Sequence, residues 1–464
     1  MPRTLFESST LLGQMSRDAS TKAAPRRGRQ ALAVVAFVGV PVLVALYRRV
    51  LAIPQRPSWP PPPDAVTSAG AEAETQTYAA RCGTRPRGAA LHFAWSTAAT
   101  IEPWVEGVNF FPRIFADVET ASSSVHILMF GWREGAVGTQ MAALLKRKLA
   151  DGVEVRVIVD RFGSRPYGAT REMFTDLAAA GAEIVVNDFS PLDRYGLYPD
   201  LQRFAWRRDE FGRVDHRKLY VVDGGVAWIG GAGLEDHFEN GAFHDVMVRI
   251  TGDVVRQAQS AFLTSFQGHG GPLPDDLSRL FPEQADPGTT PIALTEVIPG
   301  GLVAASQAIR EQIDTTRDRL DIVNAYLTDR DAIGRIIEAA RRGVKVRVLI
   351  SETSNNAQAS AALRHRYADL IAADVEVWEL PGTVVHAKVV VADEVVSFGT
   401  VNLDAWALYR NSEIMMIARS PEVAELLEER LFNPDIARAK RGEPPLGSRE
   451  RLACWLWDKL TFFL

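Results

Sequence analysis

Two stretches of this chain can be laid over each other almost residue for residue: DGVEVRVIVD at 151–160 and RGVKVRVLIS at 342–351. Each follows an amphipathic helical pattern, MAALLKRKLA in the first case and AIGRIIEAAR in the second, and each is preceded by another helix and apolar strand. A repeat of this length and order constrains the fold more than any composition does, because both copies must bury the same faces. Short apolar strands alternating with helices of ten to fifteen residues indicate α/β units with largely parallel pairing. The expectation is a duplicated α/β domain. Its length of 464 residues, too great for one ordinary core, agrees with two units plus extra segments.

A third strand in each copy carries the unusual residues. DHRKLYVVD at 215–223 and VHAKVVVAD at 385–393 are apolar runs that each open with His, one residue, Lys. In a strand, residues i and i+2 face the same way, so His216 shares a face with Lys218, and His386 with Lys388. One His-x-Lys occurs by chance in many proteins. Two copies with the same H-x-K-x4-D spacing, on equivalent strands of a repeated unit, call for a common explanation. Asp223 and Asp393 close the runs, and an acid at a strand's end often only satisfies a turn.

These residue types suit phosphodiester transfer. A neutral imidazole can attack phosphorus and form a covalent intermediate, splitting one hard displacement into two easier ones. A second imidazole can protonate the leaving alkoxide and then deprotonate the acceptor. Two lysines beside them would stabilise charge on the phosphoryl oxygens without a metal. A carboxylate should fix each ring's tautomer, and Asp245 in FHDVMVRI and Glu413 in NSEIMMIA stand downstream in the two copies. His126, His237 and His365 lack this context and read as surface or core residues.

The doubled H-x-K-x4-D resembles the phospholipase D superfamily over roughly residues 100 to 435. Within it the chain is most similar to bacterial cardiolipin synthases, on HRKLYVVDGGVAWIGG, HAKVVVADEVVSFGTVNLD and the RFGS after Asp160. The resemblance implies two tandem α/β/α sandwich halves with the active site at their interface, and a ping-pong mechanism through phosphohistidine. By the same resemblance the catalytic set is His216, Lys218, Asp223, His386, Lys388 and Asp393. His216 would be nucleophile and His386 acid and then base, although the residues alone do not decide which histidine attacks. Asn402, Gly231, Gly399 and Thr400 would bind substrate, with Asp245 and Glu413 supporting the histidines. The chain departs from the pattern at Gly233, where the family usually has Asn. It also runs one residue short between Asp393 and Gly399, and has Trp406 where synthases often have Arg.

The rest of the chain bears on location. Residues 31–47, ALAVVAFVGVPVLVALY, carry no charge and lie between Arg26, Arg27 and Arg29 on one side and Arg48 and Arg49 on the other. About 17 apolar residues fenced by arginines suit a retained membrane anchor. Counting Lys22, the basic residues lean towards a cytoplasmic N-terminus, and the membrane face of the catalytic part stays open. The division expected is a basic segment at 1–30, the anchor at 31–47 and a Pro/Ala-rich tether at 48–89. Halves at 90–285 and 286–435 come next, then an amphipathic tail at 436–464 that either docks on the domain or lies in the lipid interface. A net charge of −5 and the lack of a long basic tract make a nucleic-acid partner unexpected. Two distant cysteines, Cys82 and Cys454, suggest no structural metal, and no cofactor is expected. Phospholipids at the inner membrane are the expected substrates. A cardiolipin-forming transferase, a hydrolytic phospholipase D, a nuclease of the same fold and an inactive lipid-binding relative remain as readings, and the oligomeric state is open.

Overall fold

The computed structural model describes residues 94–187 except 167, 214–299 and 303–461, all within the unit 59–464. Among them no helix is long and apolar enough to cross a membrane. The segments expected as basic N-terminus, anchor and tether, 1–89, lie outside the described residues.

The strands follow the chain in two sets. The first comprises β1 (Ser96–Ala98), β2 (Thr100–Val105), β3 (Ser124–Met129), β4 (Glu154–Asp160), β5 (Glu183–Asn187), β6 (Lys218–Val222), β7 (Val226–Gly230), β8 (Phe243–His244) and β9 (Val246–Thr251). The second comprises β10 (Thr290–Val297), β11 (Arg319–Val323), β12 (Lys345–Ser351), β13 (Glu376–Leu380), β14 (Val384–Val385), β15 (Val389–Ala392), β16 (Val395–Gly399), β17 (Glu413–Arg419) and β18 (Lys440–Arg441). One sheet has the order β2-β9-β7-β6-β3-β4-β5 and the other β1-β10-β17-β16-β15-β11-β12-β13-β18. Without the edge strands β1 and β18, the second order repeats the first strand for strand. The overall class is mixed α/β.

The matching decapeptides that announce the repeat are helix ends running into strands. Gly152 and Gly343 sit at φ +87° and +93°, a left-handed conformation that a Cβ disfavours. There the chain turns out of its helix, with Val153 N–H donating to Lys148 C=O at 2.9 Å and Val344 N–H to Ala339 C=O at 3.2 Å. Val-rich β4 and β12 come directly after, buried on both faces as a central strand requires.

Pairing is less parallel than the helix–strand alternation suggests. β3-β4-β5 and β11-β12-β13 are parallel, but β6 and β15 lie antiparallel to β3 and β11 and continue into antiparallel β7 and β16. The connections from β6 to β7 and from β15 to β16 are tight turns beginning at Asp223 and Asp393, too short for a parallel crossover. The residue missing between Asp393 and Gly399 is lost in this turn: Val222 pairs with Val226, whereas Ala392 pairs with Val395. The shortening therefore leaves β16 and its neighbour β17 in register.

Alternation along β6 and β15 shows how the layers stack. Leu219 and Val221, with Val389 and Val391, join one apolar core shared by both sheets. Tyr220 and Val222 face a second core under the helices of the first set, and Val390 and Ala392 face a third under those of the second. The chain also crosses between sheets: β1, in the stretch assigned to the first half, pairs with β10. Near the C-terminus, β18 extends the second sheet, and the helix Ser448–Lys459 is tied to the second set by Asp458, which accepts from Arg330 and Arg366.

Candidate active site

Neither motif histidine lies inside a regular strand. β6 begins at Lys218, and His386 and Lys388 fall in the gap between β14 and β15. What holds them is backbone from the opposite set of strands. His216 N–H donates to Ser412 C=O at 2.9 Å, and His386 N–H donates to His244 C=O at 2.7 Å. Ser412 and His244 are the residues immediately before Glu413 and Asp245, and β14 runs beside β8 at the second of these crossings.

The side chains cross in the same way. His216 Nδ1 lies 3.0 Å from Glu413 Oε2, and His386 Nδ1 lies 2.7 Å from Asp245 Oδ2. Each histidine is thus oriented by the carboxylate that follows the other motif, a pairing which sequence order conceals. Both carboxylates are wholly buried, while His216 and His386 keep 9% and 8% exposure. Lys218 Nζ donates to His216 C=O at 2.7 Å and lies over the Phe130 ring, and Lys388 Nζ lies 3.1 Å from His386 Nε2.

Burial dominates the charge state of the group. It lowers the Lys218 ammonium to about 8 and, with Lys218 nearby, that of Lys388 to about 7. It also pushes both imidazoles down, His386 to about 3, with the neighbouring lysines adding to the effect. Neutral rings are what nucleophilic attack and deprotonation of an acceptor require. The two carboxyls differ. Burial lifts Glu413 to about 8, but for Asp245 the same penalty is outweighed by the hydrogen bond from His386 and the charge of Lys388, so it falls below the usual range. The carboxylates Asp245 and Glu413 act on both lysines and offset part of the lowering that burial causes there.

Gly231 and Thr400, expected to bind substrate, lie beside the two carboxylates. A Cβ on Gly231 would stand 2.5 Å from Asp245 Oδ1, so glycine leaves room for that carboxylate. At the equivalent place, Thr400 Oγ1 donates to Glu413 Oε2 at 2.5 Å. Gly399 is needed for close approach, since a Cβ there would collide with Ile414 C=O. Asn402 is buried, and among the described residues nothing donates to its amide oxygen.

Asp223 and Asp393 do not belong with the catalytic residues. Each lies at the far end of its strand, roughly 16 Å from the motif lysine at about 3.3 Å per residue. Asp223 accepts from the N–H groups of Ser122, Ser123 and Ser124, all at 2.8 Å, and Asp393 from those of Arg317, Asp318 and Arg319 at 2.9, 3.0 and 2.9 Å. Both tie the turn after the motif to the loop before β3 or β11, at positive φ of 50° and 52°.

Other residues completing the surroundings carried weaker signals. Asp160, ahead of RFGS, accepts from Phe162 and Gly163 N–H and, through its other oxygen, from Asp215 N–H at 2.9 Å, fixing the residue before His216. Phe130 meets the His216 ring edge-on at 4.7 Å, and Phe238 and Phe243 lie 5.3 and 5.6 Å from that of His386. His237, expected to be bland, packs against those two phenylalanines at 4.4 and 4.3 Å.

A family model described as "Cardiolipin synthase, PLD-like domain" matches residues 309–433. A cardiolipin synthase of Geobacillus kaustophilus (strain HTA426) is 28% identical over 334 residues, covering 69% of this chain and 62% of that protein. One of Listeria monocytogenes serotype 4a (strain HCC23) is 25% identical over 364 residues, covering 76% and 72%. The chain thus spans just under two thirds of the length of the first of these relatives. The crystal structure of a phosphatidylserine synthase from Haemophilus influenzae Rd KW20 superposes with a TM-score of 0.58 at 13% identity, covering 85% of this chain and 99% of that one, a likeness of fold.

Proposed function

Because the chain belongs to the phospholipase D superfamily and is similar over most of its length to bacterial cardiolipin synthases, we propose that it is a phosphatidyltransferase forming cardiolipin. Phosphatidylglycerol would supply the phosphatidyl group to a second phosphatidyl lipid. The observation that carries the reading is the pair of crossed His–carboxylate contacts, with Lys388 beside the His386 ring and Lys218 on the His216 carbonyl. Two imidazoles from the two halves, the nucleophile neutral and its partner alternating between imidazolium acid and neutral base, provide the phosphorus and proton tasks that a ping-pong transfer needs.

In the first step Nε2 of His216 attacks phosphorus, the bond from phosphorus to the headgroup oxygen breaks, and His386, which enters this step as the imidazolium, gives that oxygen its proton and becomes neutral. In the second, His386 takes the proton of the acceptor hydroxyl, the new oxygen–phosphorus bond forms, and His216 is released. Lys218, Lys388 and the Asn402 amide hold the phosphoryl oxygens throughout. The supporting carboxylates are Glu413 for His216 and Asp245 for His386. We place this centre between two phospholipase D-like halves and assign residues 31–47 as a single-pass anchor in the cell membrane. The uncharged run between arginines and a lipid substrate both support the anchor.

The test is product analysis. Purified chain supplied with headgroup-labelled phosphatidylglycerol should give cardiolipin and free glycerol in equal amounts. Phosphatidic acid as the main product would instead make water the acceptor, and retained lipid binding without turnover would end the enzymatic reading.

A further inference from the structure

Besides Gly231 against Thr400 and Asp245 against Glu413, the two halves differ at one further place beside the site. The second half has Asn402 followed by Leu403 and Asp404, and the first has Gly233, Leu234 and Glu235. Asp404 caps the helix Ala405–Tyr409, one of its oxygens accepting from Trp406 and Ala407 N–H at 2.8 Å, and its charge also reaches Lys388. Glu235 precedes the helical turn Asp236–Glu239 without capping it by its side chain. Asp236 has moved elsewhere, capping the helix Ala136–Ala150 through the N–H groups of Ala136 and Val137.

The Glu235 carboxylate occupies the space that the glycine leaves. A Cβ on Gly233 would come 3.0 Å from Glu235 Oε2 and 2.6 Å from Gly131 C=O, so an asparagine could not stand there as Asn402 does. Glu235 Oε1 is paired with Arg133 Nε at 3.1 Å, Oε2 lies 3.9 Å from His237 Nε2, and the side chain is 12% exposed. Its charge reaches Lys218, and His237 leads through Phe238 and Phe243 to the His386 ring. An amide that can donate to phosphate has therefore been exchanged for an acceptor, on the side of the centre where His386 stands.

We propose that Arg133, Glu235 and His237 form a subsite for the alcohol portion of the lipid headgroup, with Glu235 accepting a hydrogen bond from a hydroxyl not involved in the reaction. A carboxylate there would repel a phosphoryl oxygen but would hold a polyol, whose hydroxyl donates to it. The subsite favours headgroups bearing free hydroxyls, both as leaving alcohol and as acceptor. The inference rests on the phosphatidyltransferase reading and adds the headgroup class to it.

The experiment compares two anionic lipids of equal charge, phosphatidylglycerol with its free hydroxyls and phosphatidylmethanol with none, as phosphatidyl donors to the full-length chain. The ratio of their kcat/KM values is the readout. The wild-type protein should prefer phosphatidylglycerol, and E235A should lower that preference about tenfold or more, the loss of a hydrogen bond to a charged group. E235Q keeps an acceptor oxygen at nearly the same volume, and should retain most of the preference. A ratio in E235A equal to that of the wild type, with both lipids slowed in parallel, would make Glu235 a brace for the Arg133 loop and overturn the subsite. Turnover of neither lipid by the wild-type protein would overturn the transferase reading, and the subsite with it.

Discussion

At the scale of single residues, the two ends of the H-x-K-x4-D motif stand in different surroundings. His216, Lys218, His386 and Lys388 were legible because a doubled motif in a repeated unit has few explanations other than a shared site. Asp223 and Asp393, within the same motif, hold backbone N–H groups at the opposite end of their strands. A motif written in one line does not reveal that its last member lies several residues along an extended strand. D223A and D393A should each lose roughly 1–2 kcal/mol of stability, as when a backbone cap is removed, and change kcat by less than about threefold. Denaturant unfolding beside steady-state kinetics checks this; a hundredfold loss of kcat in a folded D223A protein would return the residue to the site. The crossed pairing yields a sharper expectation. E413Q should slow loading of His216, and D245N should slow the steps served by His386, each by about 10²- to 10⁴-fold, as with other His–carboxylate pairs. Rapid-quench kinetics separates the two steps, and the opposite assignment of effects would mean that each carboxylate serves its own half.

At the level of elements, the apolar alternation and the helix-ending glycines were readable, and the antiparallel pairing was not. A turn of two or three residues after β6 or β15 decides strand direction, but periodicity in a run of five residues looks the same either way. His244, in the short strand β8, carried no signal beyond standing next to Asp245. It is buried, with Nδ1 2.5 Å from Glu106 Oε1 and Nε2 2.7 Å from Asp435 Oδ2, the latter an ion pair rather than an aligned hydrogen bond. Burial alone would lower this imidazole, but the two carboxylates outweigh it and raise it to about 9. Since the folded value is above the ordinary 6.5, the stabilisation is fully present below pH 6.5 and fades as pH rises through 9. The clasp is worth roughly 3 kcal/mol at most, and denaturation midpoints should fall between about pH 6.5 and 9.5 in the wild-type protein. In H244N the decline should largely vanish, whereas an unchanged slope would remove His244 from the account of stability.

For the whole molecule, the repeat predicted two equivalent halves but not that each would finish the other. The backbone of His216 is held by the residue before Glu413, and the backbone of His386 by the residue before Asp245. The His–carboxylate contacts beside them join positions 141 and 197 residues apart, and nothing local in the sequence specifies either set. The central claim is that two imidazoles, one from each half, serve one phosphorus atom. The most direct measurement is rapid acid-free quenching of the protein with phosphatidylglycerol labelled in its phosphate, then mapping of the acid-labile adduct. The label should lie on His216, disappear in H216A, and accumulate in H386A because the acceptor can no longer be deprotonated. No adduct on either histidine during turnover, or full activity in H216A, would contradict it.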